Sequence, residues 1–342
     1  MTLTTVIIGS CIQRMPTRGS LRSRTAATVS SMTLREISRV LPADQAWGLW
    51  TSRQIVARIM DTCGPGLAGT TVTPVDTVDA HGGRVVGEWV HGAGVSEADT
   101  SDRGAIYFVH GSGYALCSPR THRRLTAWLS RLTGLPVFSI DYRLAPRHRF
   151  PTAAEDVHRG WHWLTTQHGV APEQVVVAGD SAGGHLSIDL LLQSGVTHPA
   201  ALVLLSPLVD LTFALARTTE QHRRDPAIRA RDAARLVELY CTGIDPAHPR
   251  LTLDVAGGRV LPPTLIQAGG AEMLQADART LAADIRSAGG TSELQVWPDQ
   301  VHVFQALPRL TPEAVPAMRK ITAFIADALD RKSTRLNSSH RT

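Results

Sequence analysis

Gly179-Asp180-Ser181-Ala182-Gly183 places a serine between two glycines at G-x-S-x-G spacing, directly behind the apolar run 175–178. Residues 182–194 have helical character, so the serine sits on a strand–turn–helix corner. A turn that sharp leaves no room for a Cβ at the flanking positions, which is a reason for glycine there. The corner exposes the hydroxyl and aims the first N–H groups of the helix at charge building beside it. These are the needs of acyl transfer, a nucleophile and donors for an oxyanion. Alone, the match is weak, since a Gly-rich structural turn carries the same letters. A second stretch, His110-Gly111-Ser112-Gly113-Tyr114, follows the apolar run 105–109. Its small residues let backbone N–H groups approach a tetrahedral intermediate, so Ser112, Gly113 and Ala182 are the candidate donors.

Such residues need a rigid frame. Extended segments are predicted at 72–79, 84–91, 105–109, 136–140, 175–178, 201–205, 264–268 and 293–297. Several of the later ones are unbroken apolar runs, as in strands covered on both faces of a parallel sheet. Helices are predicted at 119–133, behind Ser118 with Pro119 at the first helical position, and at 152–168, 182–194, 272–288 and 312–329. This alternation predicts an open, mostly parallel α/β sheet with helices on both faces. Two helical segments, 34–63 and 211–245, stand outside the alternation and are predicted to pack together as a lid.

The set of motifs resembles the hormone-sensitive-lipase-like family of α/β-hydrolases, which includes many bacterial carboxylesterases. The matching residues are His110–Tyr114, Asp141-Tyr142-Arg143-Leu144-Ala145-Pro146, Phe150-Pro151, Gly179–Gly184 and Ser206-Pro207, and similarity runs from about residue 40 to 329. The resemblance implies the α/β-hydrolase fold: an eight-stranded sheet flanked by helices, with a helical cap from about 32–63 and 209–250. It also implies a triad in the chain order serine, acid, histidine. His302 then falls on the family's His-x-Phe pattern, in the loop after the last predicted strand, with Ser181 as nucleophile. Glu272-Met273-Leu274 aligns with the family's Asp-Pro-Leu, which makes Glu272 the expected acid; Asp277, five residues on, is the rival. Two departures stand out, Ser112 at the middle glycine of the oxyanion loop and glutamate for the commoner aspartate. Neither removes a required group.

The expected activity is hydrolysis of short-to-medium acyl or aryl carboxylic esters through an acyl-enzyme, with the apolar Trp47, Trp50, Phe213 and Leu215 of the cap segments lining the pocket. An amide or formamide hydrolase, or a deacetylase, would use the same groups, and a non-catalytic binding protein on this fold is the remaining alternative. His110, Gly111, Gly179, Asp180 and Gly183 support the motifs. No cofactor and no metal is implied, and the partner is a small-molecule ester; a homodimer is compatible with this reading.

The charge balance at first points elsewhere. The 342 residues carry a net charge of +5, which invites a nucleic acid or an anionic surface. Residues 1–24 hold four arginines and no acid, and 331–342 hold four bases and no acid. Between them stand 27 bases against 30 acids, so the body is mildly acidic and no nucleic-acid partner is expected. Residues 1–31 read as an over-extended start before Met32, or as a transit-type leader. The string Asp330 to His340 matches the in-frame translation of a common sequencing-library adapter, so 330–342 is expected to be non-native and 32–329 to be the single domain. No run is long enough to cross a bilayer, and the four cysteines lack metal spacing. A reducing, cytoplasmic setting is expected.

Overall fold

The central strands owe their place to unbroken apolar sequence. Val175–Asp180, Ala105–Val109 and Ala201–Leu205 are buried at every position, as strands covered on two faces must be. The protein is described by a computed structural model, which covers residues 17–96 and 104–339.

Eight strands form one sheet: β1 (Thr71–Val78), β2 (Arg84–His91), β3 (Ala105–Val109), β4 (Val137–Ile140), β5 (Val175–Asp180), β6 (Ala201–Leu205), β7 (Thr264–Gly269) and β8 (Ser292–Trp297). Their spatial order is β1-β2-β4-β3-β5-β6-β7-β8. β1 and β2 pair antiparallel, as do β2 and β4, and the remaining pairs are parallel. The helices longer than one turn are α1 (Leu21–Met32), α2 (Leu34–Val40), α3 (Ala46–Cys63), α4 (Pro119–Thr133), α5 (Thr152–His162), α6 (Ala182–Leu192), α7 (Ala214–His222), α8 (Ala230–Cys241), α9 (Gln275–Ser287) and α10 (Ala314–Ser339) among the described residues.

The strand period of two divides the core. Tyr107, Val177, Leu204 and Ile266 point to one face and pack with Trp161 of α5, Leu186 of α6 and Leu281 of α9. Ile106, Val176, Val203 and Leu265 point to the other and pack with Leu125 of α4 and Ile321 of α10. The observed strands match the predicted ones to within two residues. One difference matters for the site: α9 begins at Gln275, because 270–274 form a turn at the carboxyl end of β7.

The two segments outside the alternation meet each other. Arg35 of α2 donates to Glu220 of α7 at 2.9 Å and to the carbonyls of Asp225 and Ile228 at 2.6 and 3.1 Å. Arg229 returns an ion pair to Glu36 at 2.7 Å. Before α2, Ser20 caps α1 by accepting from Ser23 N, and the Ser20 and Ser23 hydroxyls both donate to Glu313. The first sixteen residues lie outside the described ones, as do 340–342 at the end, while α10 itself runs to Ser339.

Candidate active site

The nucleophile candidate stands where β5 stops. Ser181 has φ 50° and ψ −121°, a backbone conformation that disfavours any residue with a Cβ, by about 1–3 kcal/mol. The surroundings hold it there: Ser181 N donates to Leu205 O at 2.9 Å, and its carbonyl accepts from Gly184 N at 3.0 Å and Leu208 N at 3.1 Å. The flanking glycines are needed sterically. A Cβ on Gly183 would lie 2.0 Å from Val109 O, and one on Gly179 would lie 2.7 Å from Gly183 O. The first turn of α6 thereby packs against the end of β3, from which the second loop departs.

That loop is tied down from behind. Gly111 N donates to Asp180 Oδ1 at 3.0 Å, while Asp180 Oδ2 meets His122 Nε2 at 3.3 Å and Thr121 Oγ1 meets His122 Nδ1 at 3.1 Å. Asp180 and His122 are both buried. Burial opposes the charge on Asp180, but His122, through its charge and hydrogen bond, holds the carboxyl below its usual range. Tyr142 donates to His110 O at 2.7 Å and stacks on the His110 ring at 4.2 Å. Burial, followed by repulsion from His122, drives the His110 imidazole down to about 3, so it stays neutral. His110 and Asp180 therefore act as braces. His122 belongs with them and carried no sequence signal, since its partner lies 58 positions away.

Ser112, Gly113 and Tyr114 all have positive φ, at 80°, 59° and 61°. The Ser112 hydroxyl accepts from the Cys117 thiol at 2.8 Å. Among the described residues, the N–H groups of Ser112, Gly113 and Ala182 donate to no protein acceptor. If the donor at 112 is its N–H, Ser112→Gly is expected to leave kcat on a short ester within about threefold. A loss of roughly 10² would assign the stabilisation to the hydroxyl instead.

His302 reaches the same place from β8. Val303 N donates to the hydroxyl of Ser206 at 3.0 Å, and Ser206 N donates to Gln267 O at 2.7 Å, which fastens the histidine loop to the end of β6. Ser206-Pro207 was recognisable as a motif, and this fastening is what Ser206 does. His302 Nδ1 is hydrogen-bonded to Glu272 Oε2. Glu272 is buried, and its other oxygen accepts from Gly269 N at 2.6 Å. Asp277 is elsewhere: its Oδ1 accepts from Val209 N at 2.9 Å and Asp210 N at 2.8 Å. Burial pushes the Asp277 carboxyl up to about 7.

One further carboxylate went unnoticed in the sequence. Asp225, buried in the loop before α8, accepts from Met273 N at 2.8 Å and from Ala227 N at 2.7 Å, beside Glu272. Burial alone would lower the pKa of His302. The negative charge of Glu272, its hydrogen bond, and then the charges of Asp225 and Asp180 outweigh that and raise it. The acid limb of kcat/KM is therefore expected above the ordinary histidine value of about 6.5. Removing one of the negative charges, as in Asp225→Asn, should move that limb towards lower pH. An unmoved limb in the pH profile would show that Asp225 exerts no field at His302.

Ser181, His302, Ser112, Gly113, Asp180 and Asp225 face one cavity of about 240 Å³, whose walls include Val56, Ile59, Leu116, Leu236 and Phe213. Of the four apolar side chains expected in this pocket, only Phe213 lines it. Trp47 and Trp50 are 57% and 62% exposed, on a face of α3 turned from Val56 and Ile59, and Leu215 lines a separate surface hollow. The helical period decides this: positions 47 and 50 share one face, and 52, 56 and 59 another. Among the described residues, no group of three or more His, Cys, Asp or Glu side chains is placed to hold a metal.

The chain belongs to the alpha/beta hydrolase fold family, whose model matches residues 106–306. It is 33% identical to the carboxylesterase/phospholipase LipF of Mycobacterium tuberculosis, over 97% of this chain and 88% of that protein. An acetyl-hydrolase of Streptomyces hygroscopicus is 35% identical over 75% of this chain and 84% of its own length. Among solved structures, an esterase from the bacterial hormone-sensitive lipase family superposes with a TM-score of 0.77 at 28% identity, covering 91% of this chain and 99% of that one. The family resemblance drawn from the motifs is thus shown, and so is the fold it implied.

Proposed function

We propose that the protein is a serine carboxylesterase that works through an acyl-enzyme on Ser181. The observation that carries this reading is the convergence, on one apolar cavity, of a strained serine, a histidine bonded to a buried glutamate, and three unengaged backbone N–H groups. Ser181 Oγ attacks the ester carbonyl carbon as His302 Nε2 takes its proton. The carbonyl oxygen becomes an oxyanion between the N–H groups of 112, 113 and 182. The C–O bond to the alcohol then breaks, and the leaving oxygen receives the proton from His302. Water attacks the acyl-serine in the second half, again with His302 as base, and releases the acid. Glu272 keeps Nδ1 protonated and stabilises the imidazolium without itself taking the proton.

The segments 32–63 and 209–250 act as a cap in this reading, since Arg35 and Arg229 tie α2 to α7 and to the loop before α8, while Val56 and Ile59 of α3 and Leu236 of α8 wall the cavity. The relatives' names, carboxylesterase and acetyl-hydrolase, and the small volume at Ser181 support short acyl groups there. No helix among the described residues is long and apolar enough to cross a membrane. Cys63, Cys117 and Cys241 are free thiols, which fits a reducing, cytoplasmic setting.

The reading is tested by rapid mixing with p-nitrophenyl butyrate and mass measurement of the quenched protein. A nitrophenol burst with a butyryl adduct mapped to Ser181 is expected. Turnover with no covalent species, or an adduct elsewhere, would sink it. Comparing the butyrate ester with the anilide of the same acid separates an esterase from an amidase.

A further inference from the structure

Behind the oxyanion loop stands a cation without an acid. Arg53 of α3 is partly buried and donates Nε to the carbonyl of Ala115 at 2.9 Å and Nη2 to that of Ala145 at 3.5 Å. Both acceptors are neutral, and among the described residues Arg53 forms no ion pair with a carboxylate. Arg35, Arg123, Arg143 and Arg250, by contrast, each meet one. Arg53 does not line the cavity at Ser181, so it can act on the chemistry only through the loop.

From Ala115 a series of peptide units leads to the candidate donor at 113. The Ala115 carbonyl and the Leu116 N–H belong to one peptide, and Leu116 N donates to Ser112 O at 3.2 Å. The Ser112 carbonyl and the Gly113 N–H belong to the next, and that N–H donates to no protein acceptor among the described residues. A second branch enters where Ala145 N donates to Tyr114 O at 3.0 Å, and continues as Ala115 N donates to Ser112 O at 3.3 Å. In the first branch each carbonyl lies on the Arg53 side, and the last N–H is that of Gly113, which lines the cavity. Hydrogen bonds in such a series polarise one another, and one headed by an ionised donor is the stronger kind. The backbone is also strained here, with positive φ at 112, 113 and 114, so it needs ties of this sort to keep its shape. We infer that Arg53 is a positioning residue for the oxyanion donors, which holds the loop and passes its charge through two peptides to the Gly113 N–H. This inference rests on the esterase reading, and it makes the oxyanion site depend on α3, a helix outside every motif.

The charge matters most once the carbonyl oxygen turns negative, so the effect belongs to kcat rather than KM. Losing a whole donor costs ~10²–10³, and depolarising one should cost less. Arg53→Met and Arg53→Gln are therefore each expected to lower kcat on p-nitrophenyl butyrate by about tenfold, with KM within about twofold. Arg53→Lys, which keeps the charge and a donor, should stay within about threefold of the wild type. A butyl trifluoromethyl ketone supplies a second readout. Ser181 Oγ adds to its carbonyl carbon, the proton passes to His302, and the carbonyl oxygen becomes an oxyanion between the donors. Its affinity should fall with kcat in the methionine and glutamine variants and recover with lysine. A neutral variant at the wild-type rate, a lysine variant no faster than the glutamine one, or a loss carried by KM with ketone affinity unchanged overturns the proposal. Arg53→Gln keeps a polar side chain at this partly buried position and decides the matter if Arg53→Met does not fold. If the wild type turns over the ester and binds the ketone while the variants match it, only the role of Arg53 falls. If the wild type does neither, the esterase reading falls as well.

Discussion

Ser181→Ala is expected to lower kcat on p-nitrophenyl butyrate by roughly 10⁴–10⁶, with thermal stability little changed. The rate falls because no other group can form the acyl bond. What survives is binding and the backbone donors, which in enzymes of this kind still leave roughly 10³–10⁴ over water. Stability is spared because alanine carries the same Cβ into the same positive φ, and the turn is held by the backbone bonds to Leu205, Gly184 and Leu208. A steady-state assay with active-site titration checks the first part, and a melting curve the second. Near-normal turnover by this variant would remove Ser181 from the chemistry and leave the family likeness without its proposed mechanism.

The second large effect separates two carboxylates five residues apart. Glu272→Gln should cost roughly 10³–10⁴ in kcat, because an amide on His302 Nδ1 neither fixes the required tautomer nor stabilises the imidazolium. Asp277→Asn should leave kcat nearly intact and change stability instead. Its carboxyl, fully buried, titrates at about 7 in the folded protein against 3.8 in the reference state. A carboxyl raised on folding adds stability that is complete below the lower value and lost as pH rises through the upper one. Ionising it in place therefore costs about 4 kcal/mol by pH 8. The amide keeps an oxygen for Val209 N and Asp210 N and has nothing to ionise. Asp277→Asn should thus melt higher than the wild type at pH 8, with the gap closing towards pH 4. Melting curves across that range, beside kcat values for both variants, give the answer. Equal losses of kcat would mean that Asp277 also serves His302.

These two residues also show why some of the site could be read in advance and some could not. Ser181 announces itself because its constraint is local: a strand, a turn with no room for Cβ, and a helix follow each other within a dozen residues. The oxyanion loop is recognisable for the same reason. Glu272 and Asp277 are both acidic and near the end of one strand; the likeness of Glu272-Met273-Leu274 to the family's Asp-Pro-Leu favours Glu272, but the chain alone leaves open how either would face His302. That was decided by the turn at 270–274, which faces Glu272 towards the β8 loop, and by α9, which carries Asp277 to the backbone of 209–210.

The pocket walls follow the same logic. Trp47 and Trp50 have the composition of a binding surface, yet the face of α3 that lines the cavity is the one bearing Val56 and Ile59. The period of a helix states which residues share a face, and only the packing partner states which face is covered. Asp225 and His122 are the extreme cases, each a buried charge or ring whose partner lies 48 or 58 positions away.

The sequence by itself determined the strands, the helices that alternate with them, the elbow and the order of the chemical groups. Apolar periodicity and the sterics of a turn act over a few residues and leave their mark in the letters. The tertiary structure alone decided where Asp277 goes instead, what braces the oxyanion loop, and how the cap walls the cavity. Those contacts depend on where α2, α7 and α8 fold back over the sheet. The sequence names the groups that can pair; the distances between them exist only after the chain has closed.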